Sequence, residues 1–339
     1  MKNISQKDIE SFADSLLKLF DDIKHSDLMN KGPDYHPCSK ELYNADRTKL
    51  ITRIRFFQRI LEPIKERSEI LEIGSGYGFN LIIIKFLGFE SVYGVELVES
   101  VSDTAEKIIK LAKKHVDFDL TGCRSICANA ETSGFDDQKF QNILAIESIS
   151  HVPSFDRLMR EINRILKTGG NFIVSDGNNI CCPPYRKFLH KTWEKTRKNE
   201  LEKKIDYLKK VYPDLSPHLR ASIALHTELL SLKDAADAVP NILKTNKLPM
   251  NLYFEGYAPI QVQSGTWAEY AFEPPKLAKY MSLYGFSATP KLYAGSARGG
   301  IWPVVEDIIN VLPDKIRFLF RPTFLIYMKK IDAVKYLVN

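Results

Sequence analysis

Apolar positions along the chain change period several times, and each change marks an element. Between residues 4 and 24, Ile9, Phe12, Leu16 and Phe20 recur at helical spacing and predict an amphipathic helix that needs a partner. Lys31-Gly-Pro-Asp-Tyr-His-Pro37 breaks regular structure, and Thr48 to Ile64 predicts a second helix, packed beside the first strand. Ile70, Leu71 and Ile73 form a short apolar run with no turn residue inside it, the pattern of a strand buried on both faces. That run leads straight into Gly74, Gly76 and Gly78. Phe79 to Leu87 then reads as a helix stopped by Gly88, and Ser91 to Val95 as a second strand closing on Glu96. Residues 101–115 carry Val101, Ala105, Ile108 and Leu111 on one side of a helix. Arg124 to Glu131 reads as a short third strand with a polar turn. Phe140 to Ile146 is the fourth strand. Phe155 to Leu166 is a helix that Lys167-Thr-Gly169-Gly170 should stop, and Asn171 to Ser175 is the fifth strand, closing on Asp176.

The alternation of strand and helix is then interrupted. Cys181-Cys-Pro-Pro184 is a breaker, and Tyr185 to Val211 reads as a long basic helix with Phe188, Trp193, Leu201, Ile205 and Leu208 as its apolar positions. Pro213, Pro217, Pro240 and Pro249 punctuate further helices. Residues 179–266 are too long and too apolar for a loop, and are expected to form an inserted helical cap. The pattern resumes with a helix, Pro275 to Tyr284, and a strand, Ala288 to Tyr293. A helix at 303–311 and a last strand, Thr323 to Met328, follow. Gly295 to Gly300 is read as a hairpin loop. The expected division is an N-terminal helical lid over 1–44, an α/β domain built from 45–178 and 267–330, and the cap.

Composition narrows the class. Of 339 residues, 44% are hydrophobic and 27% charged, an ordinary balance for a globular chain. No apolar run reaches membrane length, since Arg321 and Pro322 break the best candidate, and the polar N-terminus does not read as a secretory signal. The five cysteines, Cys38, Cys123, Cys127, Cys181 and Cys182, form no Cys-x-x-Cys pair, which argues against structural zinc or a disulfide framework. No metal is expected, and a reducing cytoplasm is the simplest location. Residues 181–250 hold 14 Lys/Arg against 8 Asp/Glu, which accounts for the whole net charge of +6. A solvated helix face is the plain meaning of that excess. Residues 181–250 also interrupt the fold after the fifth strand, so they are expected to contribute to the acceptor site rather than the cofactor site. Charge reversal at Lys203 and Lys204 is therefore expected to leave cofactor affinity at the glycine turn unchanged.

The glycine spacing indicates the ligand. Strand, glycine turn, helix, second strand and acid make half of a mononucleotide-binding unit. A dinucleotide fingerprint would need glycine at position 79, where Phe79 stands, and no Gly-Lys-Ser/Thr follows. The pattern present, Glu72-x-Gly74-x-Gly76-x-Gly78 with Glu96 beyond, resembles the first motif of the class I S-adenosylmethionine-dependent methyltransferases. The block 140–176, with Glu147-Ser-Ile-Ser-His151 and Lys167-Thr-Gly-Gly170, is similar to the branch that methylates sugars, tocopherols, sterols and other small molecules. The resemblance covers about 68–176. It implies a Rossmann-like seven-stranded methyltransferase sheet with N-terminal helices and the inserted cap. It also implies S-adenosyl-L-methionine as cofactor, bound through Glu72, Gly74, Gly76, Gly78, Glu96, Leu97, Asn129, Ala130, Glu131 and Glu147.

Methyl transfer from a sulfonium needs the nucleophile aligned within ~3–3.5 Å. A hydroxyl nucleophile also needs its proton taken by a base. His151 and Asp176, at the ends of adjacent central strands, are the expected catalytic pair, with His151 as base and Asp176 as its partner or a second hydroxyl acceptor. The acceptor is expected to be a small molecule methylated on a hydroxyl, with carbon or nitrogen open as alternatives. An NAD-dependent oxidoreductase and a non-catalytic nucleotide-binding protein are the other classes weighed. No nucleic-acid partner is expected, because Asn/Asp-Pro-Pro-Tyr/Phe does not follow the fourth strand. A homodimer is considered.

Overall fold

The computed structural model of the chain describes residues 4–26, 28, 45–228, 230, 232–245, 247–248, 257–262, 265–292 and 302–331. Two helices come first, α1 (Gln6–Lys24) and α2 (Arg47–Leu61). The alternating unit follows as β1 (Glu69–Ile73), α3 (Phe79–Phe86), β2 (Ser91–Glu96), α4 (Glu99–Ala112), β3 (Cys123–Cys127), β4 (Phe140–Ile146), α5 (Phe155–Ile165) and β5 (Leu166–Asp176). The seven-stranded sheet closes with β8 (Phe286–Leu292) and β9 (Phe324–Lys330), in the order β3-β2-β1-β4-β5-β9-β8. β1 to β5 run parallel, and β9 is antiparallel to both β5 and β8. The order reverses between β1 and β4, so the carboxyl ends of β1, β2, β4 and β5 open at the switch point where ligands collect in such sheets.

Strand alternation explains the two layers. Ile70, Val92, Leu144, Ile146 and Ile173 face one side, under Ile9, Phe12 and Leu16 of α1, Ile54 and Phe57 of α2, and Leu81 and Ile82 of α3. Leu71, Ile73, Ile143, Ala145, Phe172 and Val174 face the other, under Leu158 and Ile162 of α5 and Met281 of α10 (Pro274–Ser282). Ser5 opens α1 with a capping box to Asp8. Phe12 then stacks on Phe86 with ring centroids 4.1 Å apart, and Phe20 meets Phe79 edge-on at 5.0 Å. α1, expected as part of a lid, is built into the helix layer on the sheet. Residues 29–44 of that expected lid lie outside the described residues, as do Gly295 to Gly300.

The stop expected at Lys167-Thr-Gly-Gly170 is differently built. α5 ends at Ile165 and β5 begins at once, with Leu166 paired to Phe140 and the register shifting before Asn142 pairs with Asn171. Gly169, at φ 76°, takes the left-handed turn this shift needs.

Between β5 and α10 lie α6 (Pro183–Val211), α7 (Pro217–His226), α8 (Leu232–Asp237), α9 (Val239–Thr245) and a hairpin of β6 (Tyr257–Val262) and β7 (Gly265–Tyr270). The helices have their own apolar cluster around Leu208, Ile223, Ala236, Val239 and Ile242. The reading of α6 as a wet basic helix needs two corrections. Phe188 is exposed, and Lys204 is fully buried, its Nζ donating to the carbonyls of Thr227 and Leu230 at the end of α7. Burial among these groups lowers its pKa to about 8. Arg197 closes the same region on buried Glu228 with bonds of 3.0 and 2.7 Å.

Candidate active site

The glycine turn is held by the strand beside it. The N–H groups of Gly74 and Ser75 donate to the Val95 carbonyl at 2.9 and 3.0 Å, and Gly74, Gly76 and Gly78 all sit at positive φ, between 51° and 77°. A Cβ on Gly74 would lie 2.7 Å from Ser148 Cβ, so the turn packs directly on the segment after β4. A Cβ on Gly76 would meet no protein atom within 4 Å. That position therefore opens onto space that a ligand can use. Gly94, inside β2, was not singled out by the sequence reading. A Cβ there would overlap Ser75 and come within 2.8 Å of Leu81, so the turn depends on it. A glycine inside a strand pattern is the signal that would have found it.

Two acids flank the turn. Glu96, nearly buried at the end of β2, accepts from the N–H of Gly76 and of Val98, both at 3.0 Å. Burial raises its pKa, while those N–H groups oppose the rise. Leu97 beside it is 57% exposed, which offers an apolar surface next to a carboxylate. Glu72 lies beneath the turn, fully buried, and accepts from Asn80 Nδ2 at 2.7 Å. Arg53 of α2 grips the same Asn80 through its Oδ1, at 3.1 and 3.3 Å. Burial raises Glu72 to about 7 against the pull of Asn80 and Arg53, and its Oε2 has no hydrogen-bond partner.

On the other side of the switch point, Glu147 follows β4 in the left-handed region at φ 52°, exposed, with its N–H donating to the Ser175 carbonyl at 2.7 Å. Strain of this kind in a non-glycine residue gathers at functional sites. The next residues make a short 3₁₀ turn, Ile149–His151. Asp176, buried at the end of β5, accepts from the N–H of Asn178 at 3.0 Å and from Ser150 through both its hydroxyl and its N–H. Burial, with Glu147 adding to it, raises Asp176 to about 7, and its Oδ2 has no hydrogen-bond partner. His151, half-buried, follows Ser150 directly. Asn178 joins this edge to the inserted segment, its side chain donating to the Tyr270 carbonyl at 3.0 Å and accepting from Tyr185 Oη at 3.3 Å. Sequence reasoning missed Asn80, Ser150 and Asn178, because the contacts to Arg53, Asp176 and Tyr270 that give them their roles come from parts of the chain distant in sequence.

The remaining expected positions sit at the turn after β3. Asn129 is exposed and closes an Asx turn onto the Glu131 N–H at 2.8 Å, with half-buried Ala130 between them. The Glu131 carboxylate accepts from the Ser154 N–H at 2.8 Å, at the start of α5. Glu131 therefore anchors that helix. Among the described residues, no group of three His, Cys, Asp or Glu is placed to hold a metal.

Four buried oxygens without a partner, Glu72 Oε2, Ser75 Oγ, Ser148 Oγ and Asp176 Oδ2, gather around the glycine turn and the β4 and β5 ends. They are acceptors or hydroxyls and two belong to acids. This donor set suits a cationic ligand carrying an amino group, and the open cradle at Gly76 admits it.

A mixed seven-stranded sheet with this order, turn and strand-end acid is the arrangement that the resemblance to class I methyltransferases implies. The sequence model of the family described as "Methyltransferase domain" matches residues 71–174. Those residues, less than a third of the chain, match a methyltransferase domain, a family that takes S-adenosylmethionine as cofactor. Over 113 residues the chain is 30% identical to the sterol 4-C-methyltransferase strm-1 of Caenorhabditis elegans, covering 33% of this chain and 32% of that one. Over 167 residues it is 28% identical to the 24-methylenesterol C-methyltransferase 2 of Arabidopsis thaliana, covering 49% and 43%. These matches span less than half the length of those two relatives. Among solved structures, a protein from Pyrococcus horikoshii OT3 aligns over 90% of this chain and 99% of its own at 14% identity, with a TM-score of 0.46.

Proposed function

We propose that the chain transfers a methyl group from S-adenosylmethionine to a small apolar acceptor. The acceptor would lie between the ends of β4 and β5 and the edge where Asn178 meets Tyr185 and Tyr270. The observation that carries this reading is the set of unpartnered buried oxygens around an open glycine turn, continuous with the Asp176 edge. Glu96 would take the ribose hydroxyls, Leu97 would lie against the adenine, and Asn129 and Ala130 would form the rim beside it. Glu72, through Asn80, would fix the turn and face the amino end. When bound, the cofactor supplies a methyl group on a sulfonium, an electrophile that needs no further activation.

For a hydroxyl acceptor, His151 takes the proton as the oxygen–methyl bond forms, and Asp176, held by Ser150 and Asn178, accepts from the same hydroxyl or from His151. A second reading, methylation at carbon, is favoured by the names of the Caenorhabditis and Arabidopsis relatives. There an alkene carbon would take the methyl, and a base would then remove a proton from the neighbouring carbon. Glu147 and Asp176 would face the positive charge that develops.

The test is incubation with methyl-labelled S-adenosylmethionine and two matched sterols, one with a free hydroxyl and a saturated skeleton, the other with its hydroxyl blocked and an alkene retained. Label on the first that His151→Ala abolishes supports the hydroxyl reading, and label only on the second supports carbon. Label on neither, with the cofactor bound, would refute an acceptor of this class.

A further inference from the structure

Large apolar side chains are left exposed in one place above all. Of the sixteen exposed in the described residues, six lie between positions 304 and 320: Val304, Ile308, Val311, Ile316, Leu319 and Phe320. They belong to the connection from β8 to β9, which contains α11 (Trp302–Asn310) and α12 (Asp314–Arg317). Val304 and Ile308 share one face of α11 at i and i+4, and Val311 follows just past its end, while Ile309 packs inward against the sheet's core. A helix apolar on both faces is expected to be covered on both.

The exposed face is fixed in place. Asn310 bonds the N–H and carbonyl of Leu292 at 2.7 and 3.1 Å. Arg317 ties α12 to the carbonyls of Pro290 and Asn310, both at 3.1 Å.

Its position is equally defined. Phe324 pairs with Asp176 and with Leu292, so the connection leaves the sheet at the ligand-binding end. Asn179, three residues after Asp176, donates its side-chain N–H groups to the carbonyls of Phe318 and Arg321 at 2.9 and 2.7 Å. The apolar face is therefore continuous with the acceptor edge of the site.

The charges nearby are mostly positive. Lys315 and Arg321 flank the apolar side chains. Exposed Arg186, Lys187 and Lys191 accompany exposed Phe188 on the first turns of α6, which starts four residues after Asn179. Of the acids described within the patch, Asp307 and Asp314, the second is paired with Arg317. Apposing two copies of a mostly basic rim would be unfavourable, whereas anionic head groups complement it and acyl chains take the apolar side chains.

We infer that this face docks on an anionic lipid surface, placing the mouth of the site where an apolar acceptor resides. The inference deepens the proposed apolar-acceptor reading and rests on it for its purpose, but its test needs no acceptor. The experiment is co-sedimentation of the full chain with vesicles of phosphatidylcholine alone and of phosphatidylcholine with phosphatidylglycerol. It is run beside sedimentation velocity without lipid and calorimetry with S-adenosylmethionine. The chain should pellet with the anionic vesicles. The triple variant Ile308→Asp, Val311→Asp, Phe320→Asp should lose roughly tenfold or more of its partition coefficient while keeping its cofactor affinity. Leu283→Asp, exposed at the opposite end of β8, should leave binding unchanged. Equal pelleting of wild type and triple variant would overturn the inference, and so would a dimer that the triple variant dissolves without any vesicle binding. Equal binding to both vesicle types would overturn the anionic assignment. Loss of cofactor binding in the wild type, with vesicle binding intact, would remove the enzymatic reading and leave the docking face standing.

Discussion

Replacing Glu72 by Gln isolates the acid beneath the glycine turn. Its carboxyl is fully buried, with one oxygen on Asn80 and the other without a partner, and burial moves it from an ordinary 4.5 to about 7. A folded-state pKa above the unfolded one means that, between these values, the folded chain keeps a proton the unfolded chain has released. Stability at this group is therefore fully present at pH 4.5 and below, and it falls as pH rises toward 7. For a displacement of this size the loss is on the order of 3 kcal/mol. Gln keeps the acceptor for Asn80 and never ionises. Glu72→Gln should accordingly match the wild type near pH 5 and exceed it by ~3 kcal/mol at pH 8. Asp176, also raised to about 7 by burial, contributes the same trend to both proteins and cancels in their difference. Urea unfolding at the two pH values, with linear extrapolation, measures that difference. A difference that stays constant from pH 5 to 8 would refute the argument that Glu72 is held protonated by burial.

Gly94→Ala should lower the melting temperature and weaken S-adenosylmethionine at least tenfold, because its Cβ would overlap Ser75; unchanged affinity would show that the turn does not need this close approach. Lys204→Glu should unfold the segment around Leu208 and Ile223, read as lost helical signal and proteolysis between 183 and 245, whereas Lys210→Glu, at an exposed position of α6, should be neutral. His151→Ala should cut turnover on a hydroxyl acceptor by about 10²–10⁴-fold with cofactor binding intact, and Asp176→Asn should cut it less or raise the acceptor KM; near-full activity in His151→Ala would make that histidine structural.

The block from β1 to β5 was legible because a parallel sheet buried on both faces leaves continuous apolar runs, and Gly74, Gly76 and Gly78 punctuate them at a spacing that excludes a dinucleotide turn. What stayed hidden depends on contacts distant in sequence. The β6–β7 hairpin was missed because Pro259 demotes its first strand. Lys167 to Gly170 reads locally as a helix stop, yet pairing of Leu166 with Phe140 draws it into β5. Lys204 reads as one more charge on a basic helix until Thr227 and Leu230 are seen to enclose it. At the site, Asp176 was identified from its place at a strand end, but Ser150 and Asn178, which hold it, carry no pattern of their own.

Titration calorimetry with S-adenosylmethionine and with NAD, on the wild type and on Gly76→Val, tests the central claim most directly. A Cβ at Gly76 meets no protein atom within 4 Å, so the added side chain enters ligand space rather than the packed chain, with only the strain of a φ of 51° to bear. The account predicts that S-adenosylmethionine and its demethylated product bind the wild type and stabilise it by about 2.7 kcal/mol at 100 times the dissociation constant. It also predicts that NAD gives no heat and that Gly76→Val abolishes sulfonium binding while remaining folded. Binding of NAD without binding of S-adenosylmethionine would contradict it.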